Sequence, residues 1–515
     1  MNSAENILTL LKKLIALPST TNTAKEILLE DFLVDYLKKF PYWQKHPSHL
    51  GKLPLPNDAL GRKVIYALVK GPSPSTVLLL NHHDVVETEN YHDLEPYAYD
   101  AEKITQLLAT GNDAAADDFA SGSWLGGRGS CDMKGGIAAQ LDFLTEYAEN
   151  PQAGSLLFLS VADEESFSAG MRAALELLPR LAKEQQLNYV LALNSEPNSR
   201  QNGTQIVPQG TVGKVLATVV IQGRSVHLGS YSQGLNPLAL LTRLVAATEG
   251  NPLYQETYQK EHTVPPVWLQ VRDQKENYDV SLPLRASGYC SFQTFSQGPE
   301  DILDLLKKEA ANACAAWHKL QPTAPLPSVY TYQEFLQLIS PLDSFKEKQE
   351  DIRHGLESKI MGHSLTYPEA TIAYLNALLD LLPTAEPVIL LALAPPYYPP
   401  VLSSLMGKDY FSQVLTAVVN EQKVAYENYF LGVSDCSYLG HTLPTKAAAF
   451  SANAPLWGAS YNFNEALLKN LQIPFLLLGP WGKDLHQKTE RVQIESLTLE
   501  LPKALRKAAY AAWNK

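Results

Sequence analysis

Gly126-Gly127-Arg128-Gly129-Ser130-Cys131-Asp132-Met133-Lys134-Gly135-Gly136 crowds five glycines around one acidic side chain. Glycine permits positive φ and close backbone approach, so the stretch reads as a tight loop that presents Asp132. Residues 137–147 follow with helical apolar spacing at Ile137, Leu141 and Leu144. That places Asp132 just ahead of a helix. A glycine-rich loop before a helix also fits a phosphate-binding turn. The lysine–serine pair of a P-loop is missing, however, and no G-x-G-x-x-G can be laid on it.

Three apolar runs flank this loop, and each ends in reactive side chains. Residues 76–80 end in Asn81-His82-His83-Asp84. Residues 156–161 end in Ala162-Asp163-Glu164-Glu165, and residues 189–193 in Asn194-Ser195-Glu196-Pro197. Short, nearly continuous apolar runs mark strands buried in a parallel sheet. In open α/β sheets, ligands bind outside the carboxyl ends of the strands. The runs therefore predict an α/β fold whose strands converge on one site rich in His, Asp and Glu.

Composition bounds the function. At 515 residues the chain is expected to form more than one domain. Its formal net charge of −12 argues against nucleic acid or an anionic membrane as partner. The four cysteines, Cys131, Cys290, Cys314 and Cys436, are far apart without C-x-x-C pairing. They fit reduced thiols in a cytoplasmic protein, and Cys131 reads as a small buried thiol. The first apolar stretch is interrupted by Lys12 and Lys13, unlike a secretory leader. No run approaches the 18 or so apolar residues of a membrane span.

Along the chain, Thr23-x-x-Glu26 resembles a capping box opening a helix over 24–40. Residues 92–123 form a polar, acidic excursion with a helix at 101–109, and His92 and Asp93 read as solvated. From Gly213 the pattern is strand (215–221), helix (236–247), two strands (266–271, 286–295), helix (299–319) and strand (328–332). This is an α+β module of about 120 residues, the size of a small domain. Residues 386–394 read as an apolar strand, and the proline-rich residues 395–400 as a stiff loop. Residues 475–478 read as a last strand before Gly479-Pro480-Trp481-Gly482-Lys483-Asp484-Leu485-His486. The expected division is a catalytic domain in two parts, 1–212 and 335–515, around an inserted module at 213–334.

Taken singly, His82 or His486 reads as a satisfied core histidine. Jointly, His82-x-Asp84, the glycine loop with Asp132, Asp163-Glu164-Glu165, Glu196-Pro197 and His486-x-x-x-Glu490 resemble the M20 family of co-catalytic zinc peptidases and aminoacylases. The chain length and the acidic segment before Ser123-Trp124-Leu125 look most like the arginine-utilisation (RocB) branch. The resemblance implies a zinc-peptidase-like mixed sheet flanked by helices, with a smaller ferredoxin-like lid inserted. It implies two Zn²⁺, for which Co²⁺ or Mn²⁺ could substitute on such ligands. Asp132 would bridge them, with His82 and Glu196 on one ion and Glu165 and His486 on the other. Asp84 would hold the tautomer of His82. Glu164 would be the general base that relays a proton from water to the leaving nitrogen.

The same resemblance implies a hydrolase acting on an amide bond of a small peptide or N-acyl amino acid, in arginine or amino-acid catabolism. Gly223-Arg224-Ser225-Val226-His227 resembles the lid's histidine motif, which makes His227 an oxyanion donor supplied within a homodimer. Residues 281–294 lack the family's Asp-x-Arg strand, and residues 340–386 are longer than a minimal member needs. His83, next to His82 on an extended chain, points to the opposite side and reads as structural. A non-catalytic metal-binding or regulatory relative is the alternative, favoured by a missing ligand or base; none is missing. A nucleotide-binding enzyme would leave the His and Glu residues unexplained, and a serine hydrolase lacks G-x-S-x-G.

Overall fold

The computed structural model describes residues 3–340, 345–362, 364–382, 386–419, 423–442, 448–458 and 460–514. The chain divides into two compact units. One comprises Met1–Thr211, Val401–Thr442 and Phe463–Lys515, the other Val212–Pro400 and Leu443–Asn462.

The first unit is built on a six-stranded sheet: β1 (Leu50–Pro54), β2 (Lys63–Val69), β3 (Ser75–His82), β4 (Ser155–Val161), β5 (Asn188–Asn194) and β6 (Phe475–Leu477). Their order is β1-β2-β4-β3-β5-β6. β3 lies parallel to both β4 and β5, and β6 parallel to β5, whereas β1 and β2 run antiparallel at the other edge. All residues of β3 and β4 are buried, as their unbroken apolar runs require. Val77 and Leu79 join the core formed with helices Ser3–Ile15, Lys134–Glu149 and Leu501–Trp513. Leu78 and Leu80, on the opposite face by strand period, are equally buried. Helix Ala169–Gln185 packs against β2 and β4.

The second unit holds a five-stranded sheet in the order Val267–Asp273, Arg285–Thr294, Gly213–Gln222, Val388–Tyr398, Ser328–Thr331. All neighbours are antiparallel except the last pair. Helix Pro237–Thr248 starts as its sequence dictates, with the Asn236 side chain accepting from Leu238 N and Pro237 in the first turn. It packs on helix Pro299–Leu320. Val220, Leu390 and Ala392 enter a second core with Phe335, Leu375 and Leu378.

The mixed α/β architecture is the one expected, but three local expectations are corrected. Residues 335–400, assigned to the last catalytic part, fall in the second unit. The cause is strand Val388–Tyr398, which pairs Leu391 with Val219 and Leu390 with Tyr330; apolar pattern alone does not say which sheet a buried strand joins. That strand also runs through Pro395 and Pro396 to Tyr398, where a loop was expected. The capping box is not formed: helix Glu26–Leu37 begins after Lys25 without a side-chain cap. Thr23 Oγ1 instead donates to Thr20 O, and Glu26 turns inward to Arg62. No helix among the described residues is long and apolar enough to cross a membrane.

Candidate metal centre

The strand ends deliver the side chains as the parallel sheet demands. His82 is the last residue of β3, Glu164 and Glu165 follow the end of β4, and Glu196 follows β5. Asp132 comes from the glycine loop, ahead of helix Lys134–Glu149. His486 stands on the irregular turn between the short strands Gly482–Lys483 and Arg491–Gln493, with a left-handed φ of 64°. All of these belong to the first unit.

His82 Nε2 lies 3.1 Å from Asp132 Oδ1 and 3.4 Å from Glu196 Oε1. His486 Nε2 lies 3.2 Å from Asp132 Oδ2 and 3.1 Å from Glu165 Oε2. Asp132 thus turns one carboxylate oxygen to each histidine. The result is two triads sharing one residue, His82–Asp132–Glu196 and Asp132–Glu165–His486, with ligand atoms within 4.8 Å of one another in each. Imidazole nitrogens and carboxylate oxygens are donors that Zn²⁺, Co²⁺ and Mn²⁺ accept. Glu165 Oε1 is buried without a hydrogen-bond partner. A buried carboxylate oxygen needs a donor or a cation, so this orphan is a second sign that the site fits metal.

Asp84 ties the site together. His82 Nδ1 is 3.0 Å from the Asp84 main-chain oxygen and 3.5 Å from its carboxylate. A carbonyl oxygen only accepts, so Nδ1 carries the proton and Nε2 faces the triad. The expected carboxylate contact is therefore the longer of the two. The Asp84 carboxylate accepts instead from the main-chain N–H of Glu164 and of Glu165, each at 3.1 Å.

The electrostatics describe crowded negative charge. Burial pushes Glu165 up to about 7, and the neighbouring Asp132 adds to the shift. Burial also raises Glu164 well above the carboxylate range; His82 opposes this, while Glu196, Asp435 and Glu165 reinforce it. Glu196 is raised by burial against the pull of His82. Burial works against charge on His82, yet Glu196, Asp132 and Asp84 hold its pKa well above normal. Hydrogen bonds to Asp132 and Glu165 take His486 to about 10.

Other expectations have their places too. His83 Nδ1 is 3.1 Å from Ser160 Oγ, and its ring faces Glu30. His92 and Asp93 are exposed. Cys131 is buried, and burial keeps its thiol protonated. His227 is exposed on the second unit, and its Nδ1 accepts from Gly229 N at 3.1 Å. Two acidic residues have places that the sequence did not indicate, Asp435 and Glu26, the latter read as part of a capping box. Asp435 is buried among the site groups, and burial pushes it up to about 7. Glu26 joins Asp163 and Asp58 around the buried Arg62. Asp435 follows the apolar stretch Tyr429-Phe430-Leu431-Gly432-Val433, but it stands there without a neighbouring His or second carboxylate, and its partners are remote in sequence, so no local motif points to it.

The model of peptidase family M20/M25/M40 matches residues 78–499, a span that holds every proposed ligand. The chain belongs to this family. Among its relatives is Protein RocB of Bacillus subtilis, 29% identical over 96% of this chain and 92% of that protein. A succinyl-diaminopimelate desuccinylase of Bradyrhizobium sp. is 32% identical over 25% of this chain and 33% of its own. Among solved structures, the M20 family metallo-carboxypeptidase Sso-CP2 of Sulfolobus solfataricus superposes with a TM-score of 0.55. It is 13% identical and covers 98% of this chain and 99% of its own. This M20 protein is thus a hydrolase of the peptidase and amidohydrolase class, with a candidate metal site.

Proposed function

We propose that this M20 protein cleaves the amide bond of a small peptide or an N-acyl amino acid, using two divalent ions bridged by Asp132. The observation that carries the reading is the pair of triads sharing one carboxylate, with a further glutamate, Glu164, beside them and in neither. Divalent ions held there would supply Lewis acidity to a substrate carbonyl and to water. His82 and Glu196 would hold one position, and Glu165 and His486 the other. Glu164 is the general base: ionised, it takes a proton from water and passes it to the leaving nitrogen. Asp84 fixes the His82 tautomer through its carbonyl and anchors the Glu164–Glu165 turn through its carboxylate. Moving Asp84 therefore disturbs both a ligand and the base.

His227 belongs to the same proposal as a donor to the oxyanion, supplied by its own chain or by a partner subunit. Its Nδ1 accepts a main-chain N–H, so the neutral ring carries its proton on Nε2, free to donate outward. A substrate from amino-acid breakdown, arginine included, rests on the likeness to the RocB branch. Cytoplasmic residence is supported by four cysteines that are all free and buried. The test is Glu164→Gln. A general base typically contributes about 10²–10⁴-fold, so this variant should lose that much kcat on dipeptide or N-acyl amino acid substrates while retaining its metal. Loss of metal instead would assign Glu164 as a ligand and Glu165 as the base.

A further inference from the structure

We propose that the buried Arg128–Glu490 ion pair is a brace for the second ion position, holding Asp132 and His486 at once; this rests on the dinuclear reading above. Arg128 and Glu490 are almost wholly buried and lie 362 residues apart in sequence. Arg128 Nη1 donates to Glu490 Oε2 at 2.6 Å. The other arm of the guanidinium, Nη2, donates to the main-chain oxygen of His486 at 3.1 Å and to Asn90 Oδ1 at 3.0 Å. Asn90 Nδ2 donates to that same His486 oxygen. At the opposite end, Glu490 Oε1 accepts from the main-chain N–H of Cys131 and of Asp132, each at 3.3 Å. One planar fork thus links the backbone of the bridging aspartate to the backbone of the distant histidine. The hydrogen bonds of Arg128 and Glu490 to the ligand residues go to their main chain, so both are positioning residues.

Burying such a pair is weak evidence for a stabilising purpose, because desolvation consumes most of the attraction. Geometric definition is what a two-armed guanidinium adds over an apolar or point-charge substitute. The second position needs that definition more than the first. His82 ends a fully buried strand, whereas the His486 side chain is 50% exposed on an irregular turn. Removing the brace should therefore weaken mainly the ion that His486 holds. Outer contacts of this kind typically change metal affinity by about 10–100-fold.

The experiment is Co²⁺ uptake by metal-free protein, following the number of ions bound and the visible absorption of each. Wild type, Arg128→Lys and Glu490→Gln are compared, with His82→Ala and His486→Ala as references for losing one position. Both brace variants should lose affinity for the ion whose spectrum disappears in His486→Ala, and keep the one that disappears in His82→Ala. Lysine keeps a charge opposite Glu490 but cannot fork, so Arg128→Lys should weaken that ion and fall short of removing it. If Glu490→Gln does not fold, Arg128→Lys decides alone. Two ions on wild type with unchanged affinity in the variants would reject the brace and leave the dinuclear reading intact. Equal weakening of both ions would reject the assignment to the second position. Fewer than two ions on wild type would overturn the dinuclear reading, and the brace with it.

Discussion

Two imidazoles facing three carboxylates form a proton trap until a cation displaces the protons. His486 is held at about 10 by its hydrogen bonds to Asp132 and Glu165, and burial holds Glu165 at about 7. Both shifts keep protons on the ligands of the metal-free protein at neutral pH. Metal uptake at pH 7 should therefore release protons, and affinity should climb as pH rises towards 10. Calorimetry in two buffers of different ionisation heat measures this; uptake without proton release would mean that the ligands already stand deprotonated. The sign for stability follows from the same shift. His486 stabilises the metal-free fold fully below its ordinary 6.5, and that contribution disappears as pH rises through about 10. Asp132→Ala should empty both positions and His486→Ala mainly one, read by elemental analysis. Full metal content in Asp132→Ala would remove it as the bridge. These residues are legible in sequence because each stands beside an apolar run or a glycine cluster. Arg128 and Glu490 stand in those same motifs and Asp435 after an apolar stretch, but the roles of all three are not legible, since their meaning lies in contacts hundreds of residues away.

At the level of elements, the turn after β4 is where positioning concentrates. Asp163 takes a left-handed φ of 70°, and its carboxylate accepts from Arg62 Nη1 at 2.8 Å and from Ala169 N at 3.1 Å. Arg62 Nη1 also donates to Glu26 Oε1 at 2.8 Å, and Glu26 Oε2 accepts from Asp163 N. Helix Glu26–Leu37 is thus fastened to the turn that carries Glu164 and Glu165. In sequence, Thr23-x-x-Glu26 looked like a local cap; the tertiary pull of Arg62 outweighed a local hydrogen bond that water can replace. Removing one partner of a buried ion pair typically destabilises by about 3–5 kcal/mol. Arg62→Met should do so in urea unfolding of the metal-free protein, because two carboxylates are left buried without it. A loss below about 1 kcal/mol, the worth of an exposed pair, would mean that the network is solvated. The strands, by contrast, were legible to within a few residues, since full burial of β3 and β4 forces unbroken apolar runs.

Across the whole molecule, every proposed ligand belongs to the first unit and His227, the proposed oxyanion donor, to the second. The second unit's strands and helices between residues 213 and 331 follow the strand–helix–strand–strand–helix–strand pattern read from the sequence. Val388–Tyr398 was legible as a strand but not as a member of this sheet, because a buried run carries no address. Strand Val267–Asp273 forms one edge of the module's sheet and leaves Leu269 and Val271 partly exposed, at 55% and 39%. Among the described residues this strand pairs on one side only, and an open strand edge is a template for another chain, so it is a candidate surface for the proposed homodimer. A single donor to a developing oxyanion contributes roughly 3–4 kcal/mol, so His227→Ala should cut kcat by about 10²–10³ with metal content unchanged. If the donor comes from a partner subunit, mixing His227→Ala with Glu164→Gln protein should restore activity. In a hybrid dimer one site is served by an intact Glu164 and an intact His227, while its counterpart has neither. Full subunit exchange yields half hybrids, each with one working site, so about a quarter of wild-type activity is the ceiling. Verified exchange without recovery would reject the cross-subunit donor, and an unaffected kcat in His227→Ala would leave that histidine as an ordinary surface residue.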